Sequence, residues 1–146
     1  MIRRILHASD FSPASQPAFA KAIDLAKVNR AELIVAHVLT PVMPLMPDGY
    51  MSAKAYREIE AAARRRGQTQ LDGLVAKAKR AGVRARALLL YGVAVDRIVR
   101  AARSRRADMI VIGTHGRTGF ARFLLGSVAS GVVTHARCPV LTVRGR

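Results

Sequence analysis

The feature that most constrains this chain is an alternation. Short, nearly uninterrupted apolar runs recur, and each is followed by a longer stretch whose apolar residues return at helical spacing. The apolar runs cover residues 5–8, 33–39, 83–91, 108–112 and 140–143. Between them, Phe19, Ile23 and Ala26 mark one helix face, Tyr56, Ile59, Ala63, Leu71, Leu74 and Ala78 a second, and Val95, Ile98, Val99 and Ala102 a third. Residues 127–136 supply a fourth helix. Strands alternating with helices must run parallel and be joined by right-handed crossovers, with helices covering both faces of one sheet. Strands buried on both faces read as continuous rather than alternating apolar runs, as these do. The reading is βαβαβαβαβ.

Local signals place the joints. Ser12 is a candidate cap for the first helix, with Pro13 at its first position, where a missing N–H costs nothing. Pro41, Pro44, Pro47 and Gly49 break the chain between residues 40 and 50. The long helix expected from Ser52 to Arg80 carries Gly67 and Gly73, each weakening it by about 1 kcal/mol relative to Ala. Gly82 is placed to end it in a left-handed cap. At 146 residues the chain forms one domain, residues 1–146. It can bury a core without disulfides, and its one cysteine, Cys138, could form none internally. No apolar stretch reaches the roughly 18 residues that cross a membrane. Residues 1–7 are charged without a long apolar region, so no secretory leader is expected. The expected location is cytoplasmic.

The chemistry concentrates after the fourth strand. Ile112 leads into Gly113-Thr114-His115-Gly116, and Gly126-Ser127 opens the last helix. Glycines let the backbone turn sharply and approach a ligand closely. Successive N–H groups form a nest for phosphate oxygens, and a helix start adds free N–H groups and a positive dipole end. In open α/β sheets ligands bind at the carboxyl ends of strands, where this segment lies. On spacing alone, Gly113 and Gly116 fit equally a strand-to-loop turn that holds nothing. The segment is not a Walker A loop, because Ser127 and not Lys follows Gly126, and no Lys occurs beyond Gly113. It is not the dinucleotide GxGxxG pattern either.

The stretch from Gly113 through Gly119-Phe120 and Leu124-Leu125-Gly126-Ser127-Val128, with the closing Cys138-Pro139-Val140-Leu141-Thr142-Val143, resembles the universal stress protein family. It is similar to that family's ATP-binding branch, whose signature is G-x2-G-x9-G-[ST]. Gly113, Gly116, Gly126 and Ser127 satisfy its fixed positions. The resemblance extends from the opening residues 5–11 to the closing strand. It implies an open five-stranded parallel sheet of order 3-2-1-4-5 with helices on both faces, adenine-nucleotide alpha-hydrolase-like, binding ATP or another adenine nucleotide. In an enzyme reading of the same loop, Mg²⁺ is carried in by the triphosphate with Asp10 nearby. Carried over by position, the resemblance assigns Asp10 to the ribose, with Ala8 and Ser9 in the same turn. It sets Val38 against adenine, Ile112 and Gly113 beside sugar and phosphates, and Gly116, Gly126, Ser127 and Val128 on the phosphates. His115 and Arg117 are further phosphate candidates. Ala8 stands where the family often has Pro or Val, at a contact made largely by backbone.

Other residues draw plainer readings. Asp10 also suits a helix-entry cap or a metal ligand through water, and Arg122 an exposed loop. His7, His37 and His135 have no metal spacing and read as structural histidines. Cys138 reads as a structural thiol. The net charge of +16, from 25 basic residues of which 20 are Arg, favours anionic partners. Without interleaved aromatics it suggests at most non-specific nucleic-acid adhesion. Three functions compete: a regulatory, stress-response nucleotide-binding protein; a slow ATPase or nucleotidyl or phosphoryl transferase; and a basic adhesion module. The apolar edge strand Val140–Val143, together with the resemblance, suggests a homodimer.

Overall fold

The computed structural model describes residues 1–41, 51–114 and 125–145. Five strands form the sheet: β1 (Arg4–Ala8), β2 (Glu32–Leu39), β3 (Ala85–Tyr91), β4 (Met109–Gly113) and β5 (Val140–Val143). All pairings are parallel and the order is β3-β2-β1-β4-β5, as expected. Four helices connect them: α1 (Gln16–Asn29), α2 (Ala53–Arg80), α3 (Ala94–Ser104) and α4 (Ser127–His135).

Side chains alternate across each strand, so two cores form, one on each face. Ile5, Leu33, Val35 and Val111 pack against α1 and α2. Leu6, Ile34, Ala36, Ile110 and Ile112 pack against α3 and α4. The central strand β1 is flanked by β2 and β4, and the chain reverses its direction of travel across the sheet between β1 and β4. That reversal opens a crevice at the strands' carboxyl ends. At their other ends, Asp108 Oδ2 accepts the backbone N–H groups of Arg3 and Arg4 at 2.8 and 2.9 Å, holding the start of β1 to the start of β4. Those bonds hold the Asp108 carboxyl below its usual pKa.

The helix boundaries correct the sequence reading in one place. Ser12 does not cap α1. Pro13–Ser15 form a separate 3-10 turn, and α1 begins at Gln16. Ser12 is instead tied back to the turn: its hydroxyl donates to Asp10 Oδ1 at 2.6 Å, its N–H donates to the same oxygen at 2.9 Å, and its side chain makes no cap bond. Ser52 does cap α2, accepting from the Ala55 N–H at 3.1 Å. Gly82 ends that helix at φ 85, with the Val83 N–H bonded to the Ala78 carbonyl and its own to Lys79.

Gly67 has a role beyond weakening α2. It is buried, and a Cβ there would lie 3.3 Å from Leu89, 3.5 Å from His37 and 3.5 Å from Leu39. The missing side chain lets α2 lie close on β2 and β3.

Candidate functional site

Three chain segments meet at the carboxyl ends of β1, β2 and β4. The first is the turn after β1. Ser9 prolongs the ladder through its N–H to the Ala36 carbonyl at 2.9 Å. Its hydroxyl accepts the Phe11 N–H at 3.1 Å and lies 3.3 Å from the Ser15 hydroxyl, which donates to the Ser12 carbonyl at 2.7 Å. Asp10 Oδ1 takes both Ser12 donors, so the carboxylate is held in one orientation. Phe11 adopts φ 63, in the left-handed region, and its ring lies 4.2 Å from that of His37. Asp10 therefore serves as the turn's local acceptor.

The second segment is the end of β2. His37 donates through Nδ1 to the Ser9 carbonyl at 2.8 Å, which ties β2 to the turn. Val38 follows it. The third segment runs from β4 into α4. Thr114, after Gly113, is buried; its N–H bonds the Val143 carbonyl at 2.9 Å, and its carbonyl accepts the Gly126 N–H at 2.6 Å. A Cβ on Gly126 would sit 2.7 Å from that carbonyl oxygen, so only glycine fits without displacing the backbone. Gly126 is the residue before α4 and offers no side-chain cap; no acidic residue occupies the first turn of that helix. Its leading N–H groups, lacking partners within the helix, face the crevice with the positive end of the dipole.

Together these segments line a cleft of about 310 Å³. Of the expected site residues, Ala8, Ser9, Asp10, Val38, Ile112, Gly113, Gly126, Ser127 and Val128 all lie in its wall. His115, Gly116 and Arg117 lie outside the described residues, as does Arg122. The volume is at the small end of ligand sites, roughly 300–1,000 Å³. Much of the wall is apolar, from Ala36, Val38, Ile98 and Ile112, while the turn and the helix start contribute hydroxyls, N–H groups and one carboxylate. Such a wall suits a ligand with a flat apolar part and an anionic part.

Sequence reasoning missed Ser15, His37 and Thr114 as lining residues. His37 was read as structural, and it both braces the turn and faces the cleft. Thr114 carried a signal in its place directly after Gly113. Ser15 carried none, because its position depends on the 3-10 turn that displaces the helix start.

His7 lies one residue before Ala8, wholly buried. Its Nδ1 donates to the Val111 carbonyl at 3.0 Å, its ring packs 5.6 Å from Phe19, and its Nε2 has no hydrogen-bond partner among the described residues. Burial pushes its pKa down to about 4, against smaller opposing effects of the Val111 bond and the Asp10 charge. The imidazole is neutral at pH 7. His135 donates to the Gly131 carbonyl at 2.8 Å. Burial raises the Cys138 thiol, which disfavours the nucleophilic thiolate. Among the described residues no group of three or more His, Cys, Asp or Glu gathers to hold a metal ion, and no helix is long and apolar enough to cross a membrane.

A family model described as the universal stress protein family matches residues 1–144. "Universal stress protein MJ0531" of Methanocaldococcus jannaschii is 35% identical over 146 residues, covering 99% of this chain and 83% of that one. The solved structure of MJ0577 superposes with a TM-score of 0.86 at 23% identity, covering 100% of this chain and 98% of that one, a likeness of fold. A universal stress protein in complex with cAMP superposes at 0.72 with 25% identity, covering 99% of this chain and 98% of its own. A universal stress protein family protein from Arabidopsis thaliana with AMP bound superposes at 0.71 with 22% identity, covering 99% of this chain and 92% of its own.

Proposed function

This chain belongs to the universal stress protein family, and from that premise we propose that it is a regulatory, stress-response protein that binds an adenine nucleotide, ATP foremost, in the cleft between β1 and β4. The observation that carries the reading is the convergence of Asp10, Val38, Gly113, Gly126 and Ser127 on one cleft at the sheet's reversal point. Val38 lies against the base, with Ile112 and Gly113 beside the sugar and phosphates. Asp10, oriented by Ser12, accepts from a ribose hydroxyl. Gly126, Ser127 and Val128 present the start of α4 to the phosphates, and the first turn of that helix carries no acidic residue. His115, Gly116 and Arg117 complete the phosphate contacts in this reading. Mg²⁺ carried in by a triphosphate would offset part of the phosphate charge, with Asp10 the carboxylate of the cleft wall available to it through water.

Binding, rather than turnover, is the function proposed. No Lys follows Gly126, and no carboxylate pair with a hydrolytic arrangement is evident from the sequence. Nucleotide occupancy then acts on conformation or partner binding in the cytoplasm.

The test is direct. Protein purified from cells is denatured, and the supernatant is resolved by ion-exchange chromatography; an adenine nucleotide is expected. Calorimetry with ATP, AMP and cAMP then ranks them. Asp10→Ala removes a charged acceptor and is expected to weaken binding about tenfold or more. An empty supernatant together with no heat at about 1 mM ATP, where even a weak site of some −4 kcal/mol would respond, rejects the proposal.

A further inference from the structure

A second hollow, of about 630 Å³, lies on an adjoining face of α3 and shares no residue with the nucleotide cleft. Ala94 and Ile98 face the cleft; Val95 and Val99, each one position on, face the hollow. Its far wall is the chain between the end of α4 and β5. The α3–α4 contact that separates the helices is close, since a Cβ on Gly131 would lie 2.6 Å from Val95.

The wall is polarised along its length. Val93, Val95 and Val99 form one end, and Val93 is 69% exposed. Arg103, Arg106 and Arg137 gather at the other. The pairing of Ile110 with Val140 explains the gathering: it sets the segments entering β4 and β5 side by side, bringing Arg106 and Arg137 to the same sheet edge, where α3 also ends. Arg100 is neutralised by Asp96 at 2.7 Å. The other three arginines make no ion pair among the described residues. The negative dipole ends of α3 and α4 offset about half a charge each, less than three guanidinium groups supply. From Val95 to Arg103 the helix rises about 12 Å.

We propose that this groove binds a single-chain anionic amphiphile. Its carboxylate or phosphate head lies at Arg103, Arg106 and Arg137, and its apolar chain runs along Val99, Val95 and Val93. The three arginines at one end call for an anionic head, and an acidic protein segment would call for cations along the groove rather than at one end.

The full-length ¹⁵N-labelled protein is titrated with decanoate and with decyl phosphate. Saturable shifts are expected at the amides of Val95, Val99, Arg103, Arg106 and Arg137. Decanol, without charge, and acetate, without a chain, should each bind at least about tenfold more weakly. Arg103→Glu with Arg106→Glu should weaken decanoate about tenfold or more, and Val99→Asn by a smaller factor. Arg65→Glu with Arg66→Glu, the same charge change on α2, should alter it less than about twofold. Equal losses from the two charge variants would mean general attraction to a basic surface and overturn the proposal. So would shifts centred on Ser9, Asp10 and Ser127, acetate binding as well as decanoate, or no saturable binding. Vesicles of phosphatidylcholine and phosphatidylglycerol distinguish a membrane source: co-sedimentation sensitive to Arg103→Glu with Arg106→Glu, without decanoate binding, replaces the free ligand with a membrane head group. Sedimentation of Val99→Asn tests the last occupant; a changed subunit number with unchanged decanoate affinity makes the hollow a contact between copies and overturns the proposal.

Discussion

His7 shows how one buried residue sets a property of the whole chain. In the unfolded chain it takes up a proton near pH 6.5; folded, it does so only near pH 4. Through that window the unfolded state binds more protons, so the stability His7 contributes is complete above pH 6.5 and is lost as pH falls towards 4. The difference amounts to roughly 3 kcal/mol. Urea midpoints measured from pH 7.5 down to 4.5 should fall accordingly. His7→Asn keeps a donor for the Val111 carbonyl and should flatten the slope; parallel profiles for the two proteins would show that another group is responsible. Asp108 acts at lower pH, because its folded pKa is depressed below 3.8 and its contribution fades only as pH drops through that range. Gly126 makes a second argument at this scale. Gly126→Ala would push a methyl to 2.7 Å from the Thr114 carbonyl, so the helix start must move. Its expected effect is about a tenfold loss of nucleotide affinity, seen by calorimetry, with a stability cost of about 1–3 kcal/mol. Unchanged affinity would remove the start of α4 from the binding site.

Helix α2 separates two glycines that look alike in the sequence. Gly73 has nothing within 4 Å of where a Cβ would stand, so Gly73→Ala should stabilise the protein by about 1 kcal/mol. Gly67 lies against Leu89, His37 and Leu39, and Gly67→Ala should gain nothing or lose stability. Thermal denaturation of the two variants decides it, and equal gains would contradict the close approach of α2 to the sheet. Helix α1 offers a parallel case at its end. Arg30 holds φ 54 in the cap, with the Ala31 N–H bonded to the Ala26 carbonyl. A left-handed non-glycine residue costs about 1–2 kcal/mol, part of which Arg30→Gly returns against the added freedom of the unfolded chain. The capping failure at Ser12 belongs to this scale too. A serine before proline is a sound start signal, yet Ser12 is held in the turn by the carboxylate two residues earlier, and α1 begins at Gln16, three residues after the expected first position.

Across the whole molecule, charge and the free sheet edge set the terms of association. Glu32 stands between Arg4 and Arg86, at 3.8 and 3.0 Å, a surface cluster that stabilises little. The excess of basic residues predicts duplex binding that weakens steeply with salt; binding that survives unchanged in high salt would indicate a specific site. Strand β5 closes the sheet on one side with half-buried valines and Leu141. We propose homodimer formation by pairing of this edge between two copies, and sedimentation at micromolar concentration should find a dimer. A stable monomer would reject it.

What the sequence by itself determined is the order of elements, the parallel sheet and the location of the cleft. Each follows from short-range information: apolar runs of strand length, helical periodicity, and glycines at the ends of β4 and before α4. The sheet order came from the family resemblance, which the strand pairings bear out. The nine expected residues that lie in the cleft wall came from the same resemblance, and they meet there because they sit at strand ends and a helix start. Tertiary structure alone decided the rest. Whether Gly67 is a defect or a point of contact depends on what α2 packs against. Whether His7 is satisfied depends on a carbonyl 104 residues away. That His37 faces the cleft depends on the turn of Ser9, and that Arg106 and Arg137 share an edge depends on strand register. In each case the deciding partner lies far along the chain, and only the folded backbone brings it within the few ångströms over which packing and hydrogen bonding act.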